Sequence, residues 1–188
     1  DVLRNNTNDI IGKRSFSKNN FVVSDLGEIT INECHANKIV TVIKHIPGHG
    51  CSSIDSHKKT PKVNLDIRAL NKIDFYPFKS TYSKLAMTAH ILYSKLDSKN
   101  VSTFSKKIIN EIIRKKIGFK GIVMSDDISM RALKYDLITN AKKSLLAGCN
   151  LVLYCSGNIK DNFKLIKSVP YIDQFTAKKT SEIYKILR

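Results

Sequence analysis

The chain has 188 residues, 42% of them hydrophobic, enough for one domain with a buried core. Its 32 basic and 16 acidic residues leave a net charge of +16. The basic residues are mostly lysine and scattered, with no arginine-rich run and no basic helix interleaved with aromatics, so they read as a solvated surface and not as a nucleic-acid site. No apolar run is long enough to span a bilayer and no signal peptide is visible. The four cysteines, Cys34, Cys51, Cys149 and Cys155, lack C-x-x-C spacing. That excludes zinc-ribbon and redox motifs and points to a reducing, cytoplasmic compartment.

In chain order, the sequence opens at Asp1 and runs straight into Val2-Leu3, which reads as a cut end at the tail of a strand. Asn5 to Asp9 is loop by its Asn and Asp content. Phe21 to Ala36 reads as a helix, with Val22, Leu26 and Ile29 at helical spacing. Lys38 to Lys44 is β-branched and apolar, as a buried parallel strand requires. It feeds a dense polar loop, Lys44 to His57. Leu65 to Phe75 is weakly helical and ends before Pro77. Lys84 to His90 is a second strand. Phe104 to Ile117 is the clearest helix: Ile108, Ile109, Ile112 and Ile113 form one stripe, and Gly118 stops it. Gly121 to Met124 is a third strand, closed by Ser125-Asp126-Asp127. Leu137 to Ala147 is a helix with Gly148 as its stop, Leu151 to Cys155 is a fourth strand, and two weaker helices run over Asn162 to Lys167 and Ala177 to Leu187.

Strand then helix, repeated, predicts an α/β domain with parallel strands. In such architectures polar residues at the carboxyl ends of strands converge on one mouth. Those ends carry Lys44-His45, His90, Ser125-Asp126-Asp127 and Ser156-Gly157. A carboxylate such as Asp126 or Asp127 at that mouth serves as a nucleophile or cation stabiliser, or else only as a turn or helix-capping group. Asp55 two residues before His57 makes a competent acid/base pair, because a carboxylate bonded to one ring nitrogen fixes the tautomer and raises the basicity of the other. It equally makes a side-chain-stabilised turn. His45, His49, Asp55 and His57 match no zinc spacing.

Together these pieces resemble the family 3 glycoside hydrolases, specifically the bacterial β-N-acetylglucosaminidases of cell-wall recycling. Lys44-His45-Ile46-Pro47-Gly48-His49-Gly50 followed by Asp55-Ser56-His57 is similar to that family's Lys-His-Phe-Pro-Gly-His-Gly…Asp-Ser-His signature, with Ile46 for Phe. Ala89-His90 with Tyr93, Gly118-Phe119-Lys120-Gly121 leading into Ser125-Asp126-Asp127-Ile128-Ser129-Met130, Ala147-Gly148-Cys149-Asn150, and Ile11-Gly12-Lys13-Arg14-Ser15-Phe16 resemble four further family segments in the family's order. The resemblance implies a (β/α)8 barrel and a retaining double displacement without metal or cofactor. By carry-over, Asp126 is the nucleophile, His57 the general acid/base and Asp55 its partner. Arg14, Lys44 and His45 hold a terminal N-acetylglucosamine of a muropeptide.

The chain departs from the family in length. A barrel of this kind needs roughly 300 residues or more, and the motif that falls mid-protein in the family starts here at Lys44. The expectation is therefore a single partial domain over residues 1–188, the C-terminal part of a barrel with about four to five parallel strands. The carboxylate that grips the sugar hydroxyls in the family has no counterpart, and Arg4 stands where the family has an aspartate. Such a chain is a working β-N-acetylglucosaminidase, a silent remnant, one half of a split enzyme that needs an N-terminal partner, or an excerpt of a longer protein. A histidine acid/base also leaves room for phosphate in place of water.

Overall fold

The computed structural model describes residues 1–79 and 81–188. Four strands, β1 (Val42–Ile46), β3 (Leu85–Thr88), β5 (Ile122–Asp127) and β6 (Leu151–Leu153), form one sheet in that order, every pair parallel. A separate parallel pair joins β2 (Lys62–Val63) to β4 (Leu92–Tyr93). The helices between are α1 (Asn20–Ala36), α2 (Ile67–Lys72), α3 (Tyr76–Lys79), the wide-turn π-helix Ile108–Lys116, α4 (Leu137–Ala147), α5 (Ile159–Ser168) and α6 (Gln174–Tyr184). The fold is α/β of the barrel type, and the sheet is an open arc: among the described residues β1 and β6 are each paired on one side only.

Local chemistry explains most boundaries. Asn19 caps α1 by accepting from the Phe21 and Val22 amides, and Asp136 caps α4 by accepting from Ile138 and Thr139. Gly148, at φ +114°, ends α4 in the left-handed conformation that a Cβ disfavours. The expected strand from Lys38 starts only at Val42, because Lys38 itself takes a positive φ of 60° as the chain turns out of α1. Val2-Leu3 is not a strand, although Val2 is buried. The helix expected over Leu65 to Phe75 is only the shorter α2, and a further short helix that the sequence reading did not expect, α3, follows it and contains Pro77. The helix expected over Phe104 to Ile117 begins only after a tight 3-10 turn at Ser102–Phe104.

The core lies between the sheet and the helices. Ile46, Ala86 and Val123 from the strands meet Ile108, Ile109, Ile113, Leu70 and Phe75. A smaller cluster of Val101, Ile128, Leu133, Ala141 and Leu165 seats α4 and α5. The α1 stripe read from the sequence is not the buried one. Val22, Leu26 and Ile29 are exposed, and α1 instead buries Val23 and Ile31 and sets Phe21 edge-on to Tyr76 at 4.8 Å. Periodicity identified the helix but not the side on which its neighbours stand.

The segment after β1 is packed too closely for side chains at its glycines. A Cβ on Gly50 would fall 1.7 Å from the Val2 carbonyl oxygen, and one on Gly48 would fall 2.7 Å from the Asp74 Cβ. The Tyr93 hydroxyl donates to the Gly48 carbonyl from a fully buried position. Thr7 donates to the Gly50 carbonyl at 2.5 Å. These contacts hold residues 44–50 rigidly against the carboxyl ends of the strands.

Candidate active site

A cavity of about 310 Å³ opens at that end, lined among others by Arg14, Lys44, His45, His49, Ser56, His57, Asp126 and Asp127. Five of the six residues expected from the sequence, Arg14, Lys44, His45, His57 and Asp126, line it. The sixth, Asp55, stands behind His57, where one carboxylate oxygen accepts from the His57 amide at 2.8 Å and is 2.9 Å from its Nδ1. Those bonds, the backbone one first, hold the Asp55 carboxyl below the usual range. They also commit Nδ1 of His57 and leave Nε2 for other work.

His45 occupies a break in strand register, where Lys44 pairs with Met87 but Ile46 already pairs with Thr88. Such irregularities re-aim a side chain beside an active site. Its Nδ1 lies 2.8 Å from Oδ2 of Asp1, whose Oδ1 accepts from the amides of His45 at 3.0 Å and His49 at 2.7 Å. The Nε2 of His45 is then 3.8 Å from Asp126, beyond direct hydrogen bonding. Burial depresses the His45 imidazolium while Asp126 pulls the other way. Asp126 and Asp127, expected just beyond β5, are its last two residues. Oδ1 of Asp126 accepts from the Asp127 amide at 2.8 Å. Asp127 spends its oxygens on Ser129 N (3.0 Å), Ser129 Oγ (2.7 Å) and the Cys155 amide (3.3 Å). Two adjacent carboxylates thus have different work: Asp127 organises the loop, and Asp126 has a side open to the cavity.

Three residues expected at the mouth, His90, Ser125 and Ser156, stand elsewhere. His90 is not a cavity residue: fully buried, it bonds Thr103 Oγ1 at 2.7 Å and the Asp127 carbonyl at 3.1 Å, which secures the end of β5 from below. Ser125 is likewise internal, bonded to the Leu153 amide, and Ser156 turns away to Tyr154. Arg4 pairs with buried Asp74 and does not face the cavity. In return the structure adds Asp1, which no pattern in the sequence marked, and His49, weighed in the sequence only as a metal ligand and as part of the glycine-rich motif.

Burial also makes the site sensitive to acid. His49 is pushed down to about 4 by desolvation and by His45, and His90 is lowered by desolvation. Unfolded, both titrate near 6.5. Below that pH the unfolded chain takes up protons that the fold refuses. Stability is therefore fully present above about pH 6.5 and falls as the pH drops toward 4, by roughly 1.4 kcal/mol per pH unit for His49, with His90 acting in the same direction. Denaturant midpoints measured from pH 7.5 to 4.5 are expected to fall steadily below 6.5, and less steeply in His49→Gln. A flat series would mean that neither ring is buried neutral.

Parallel strands delivering a carboxylate, an acid–imidazole pair and cationic side chains to one mouth define a barrel-type α/β enzyme domain. The family follows from comparison: the model of the glycosyl hydrolase family 3 N-terminal domain matches residues 1–181, and the chain belongs to that family. It is 35% identical over 174 residues to a β-hexosaminidase of Actinobacillus succinogenes, covering 87% of this chain and 50% of that one. It is 36% identical over 152 residues to a β-hexosaminidase of Nitrosomonas eutropha, covering 78% and 43%. The structure of NagZ from Neisseria gonorrhoeae in complex with N-trifluoroacetyl-D-glucosamine is similar at a TM-score of 0.85 and 27% identity, over 97% of this chain and 54% of that one. The chain therefore spans about half the length of the curated relatives it matches. No helix among the described residues is long and apolar enough to cross a membrane.

Proposed function

We propose that this chain carries the catalytic groups of a retaining β-N-acetylglucosaminidase that removes terminal N-acetylglucosamine from peptidoglycan fragments in the cytoplasm. It forms the later strands of a family 3 barrel domain. The observation that carries this reading is the convergence of Asp126, His57 with Asp55 behind it, and Arg14, Lys44 and His45 on one cavity. Asp126 attacks the anomeric carbon as the bond to the leaving oxygen breaks, and Nε2 of His57 gives that oxygen its proton. Water then attacks the glycosyl ester, returning a proton to His57 and releasing the Asp126 carboxylate, with net retention. An imidazole is suited to this because its unperturbed titration lies near neutral pH. Arg14 and Lys44 supply donors for sugar hydroxyls. Nε2 of His45, its other nitrogen held by Asp1, supplies an acceptor.

A second reading is favoured by the open arc. With β1 and β6 each paired on one side and Ile39, Val42 and Leu151 exposed, the site reaches working tolerance only when further strands close the sheet. On that reading the chain alone is silent and works with an N-terminal partner half. Hydrolysis of a chromogenic aryl β-N-acetylglucosaminide by this chain separates the two. The first reading expects turnover with the β-anomer of N-acetylglucosamine as first product, seen by proton NMR. Initial release of the α-anomer would sink the retaining mechanism, and absence of turnover would select the second reading.

A further inference from the structure

We propose that His49 and Ser56 are a positioning pair, a latch that holds the segment carrying Asp55 and His57 at the cavity. The consequence for turnover rests on the role given to His57 above; the latch itself does not. Residues 53–60 are exposed or half-buried with one exception, Ser56, which is 3% exposed between Asp55 and an imidazole at His57 whose side chain is 57% exposed. Its Oγ lies 3.2 Å from Nε2 of His49, itself only 1% exposed.

The ends of this segment are tied elsewhere, Ser53 by its carbonyl accepting from Asn8 Nδ2 at 3.2 Å and Thr60 by its hydroxyl donating to the Ala132 carbonyl at 2.6 Å, but between them the other hydrogen bonds are local. Ile54 bonds Ser52, His57 bonds Asp55, and the amides of Lys58 and Lys59 return to the Asp55 carbonyl. Among the described residues, the bond to His49 is the one hydrogen bond that ties 54–59 to anything outside 52–59. His49 is a firm anchor: its amide donates to Asp1, its ring meets His45 edge-on at 5.4 Å, and it stands between Gly48 and Gly50, neither of which has room for a Cβ. Its ring has no second partner among the described residues, so the bond to Ser56 is its whole side-chain hydrogen bonding. Burial keeps the ring neutral at ordinary pH, and the bond forms whichever group donates. An exposed acid/base residue thus gains a fixed place through one buried neighbour in sequence, and release of one bond frees it to move.

The test is amide hydrogen exchange on the intact chain with Ser56→Ala and Ser56→Thr. Loss of one such bond is expected to speed exchange at 54–59 by roughly five- to tenfold in Ser56→Ala, with β1 and β3 unchanged and protection retained in Ser56→Thr. Unchanged exchange at 54–59, or an equal rise throughout the chain, overturns the latch. This arm reads out whether or not the chain turns over. Where it does, Ser56→Ala is expected to slow an alkyl N-acetylglucosaminide, which needs a proton on its leaving group, at least tenfold more than a nitrophenyl one. Equal losses on both would overturn the link to proton transfer and leave the exchange result to judge the latch.

Discussion

Asp126→Asn is expected to lower kcat/KM for an aryl β-N-acetylglucosaminide by at least about 10³-fold while the protein keeps its fold. The fold survives because the group that Asp126 uses internally is an acceptor: Oδ1 receives the Asp127 amide, and an asparagine oxygen receives it equally well. The other oxygen has no such replacement, since an amide cannot form the glycosyl ester. The neighbouring carboxylate is not a substitute, because Asp127 is committed to Ser129 and Cys155. Asp127→Asn should accordingly loosen the loop after β5 and weaken activity without the same collapse. A single-turnover measurement sharpens the point. An activated fluorosugar that traps the glycosyl enzyme should add its mass to the peptide containing Asp126 in the parent chain and not in the variant. Label on any other carboxylate, or a loss under tenfold, would remove Asp126 as nucleophile.

What could be read in advance depended on how local its cause was. The α4 boundaries matched their prediction: Gly148 is the stop that was read, and Asp136, which caps the start, is an equally local signal. The isoleucine stripe at 108, 109, 112 and 113 is buried as expected, although the helix winds wider than a regular one. The two-residue strands β2 and β4 went unseen, being too short for any period to register. α1 was placed correctly but turned the wrong way, because its burial is decided by α3, distant in sequence. The site shows the same division. Asp55 and His57 are two residues apart, and their bond is local. The approach of His45 to Asp126, the grip of Asp1 on His45, and the burial of His90 beneath β5 are made by strands meeting across the sheet. Residue type and order pointed to the mouth of the sheet, but only packing separated the histidines that line the cavity from the one that supports it.

Arg4 illustrates that separation, and its replacement should have the largest effect on stability. Its guanidinium meets Asp74 through Nε, at 3.4 Å from Oδ1, and through a closer contact from NH2 to Oδ2. The Asp74 side chain is fully buried, whereas Arg4 retains partial access to water. The asymmetry decides the outcome. Arg4→Met preserves much of the stem packing but leaves a carboxylate buried without its counter-charge, a change that costs about 3–5 kcal/mol. For a chain of this length that corresponds to a fall of roughly 10 °C in Tm. Because Asp74 packs directly beneath Gly48, the disturbance reaches the segment that carries Lys44, His45 and His49. Arg4→Met combined with Asp74→Leu should recover most of the loss, since it removes the stranded charge together with its partner. Thermal denaturation of the two single variants and the double variant measures the coupling. Recovery in the double variant would fix residue 4 as a support of the loop beneath the site. Unchanged stability in Arg4→Met, with weakened binding of N-acetylglucosamine, would instead place residue 4 in the sugar site.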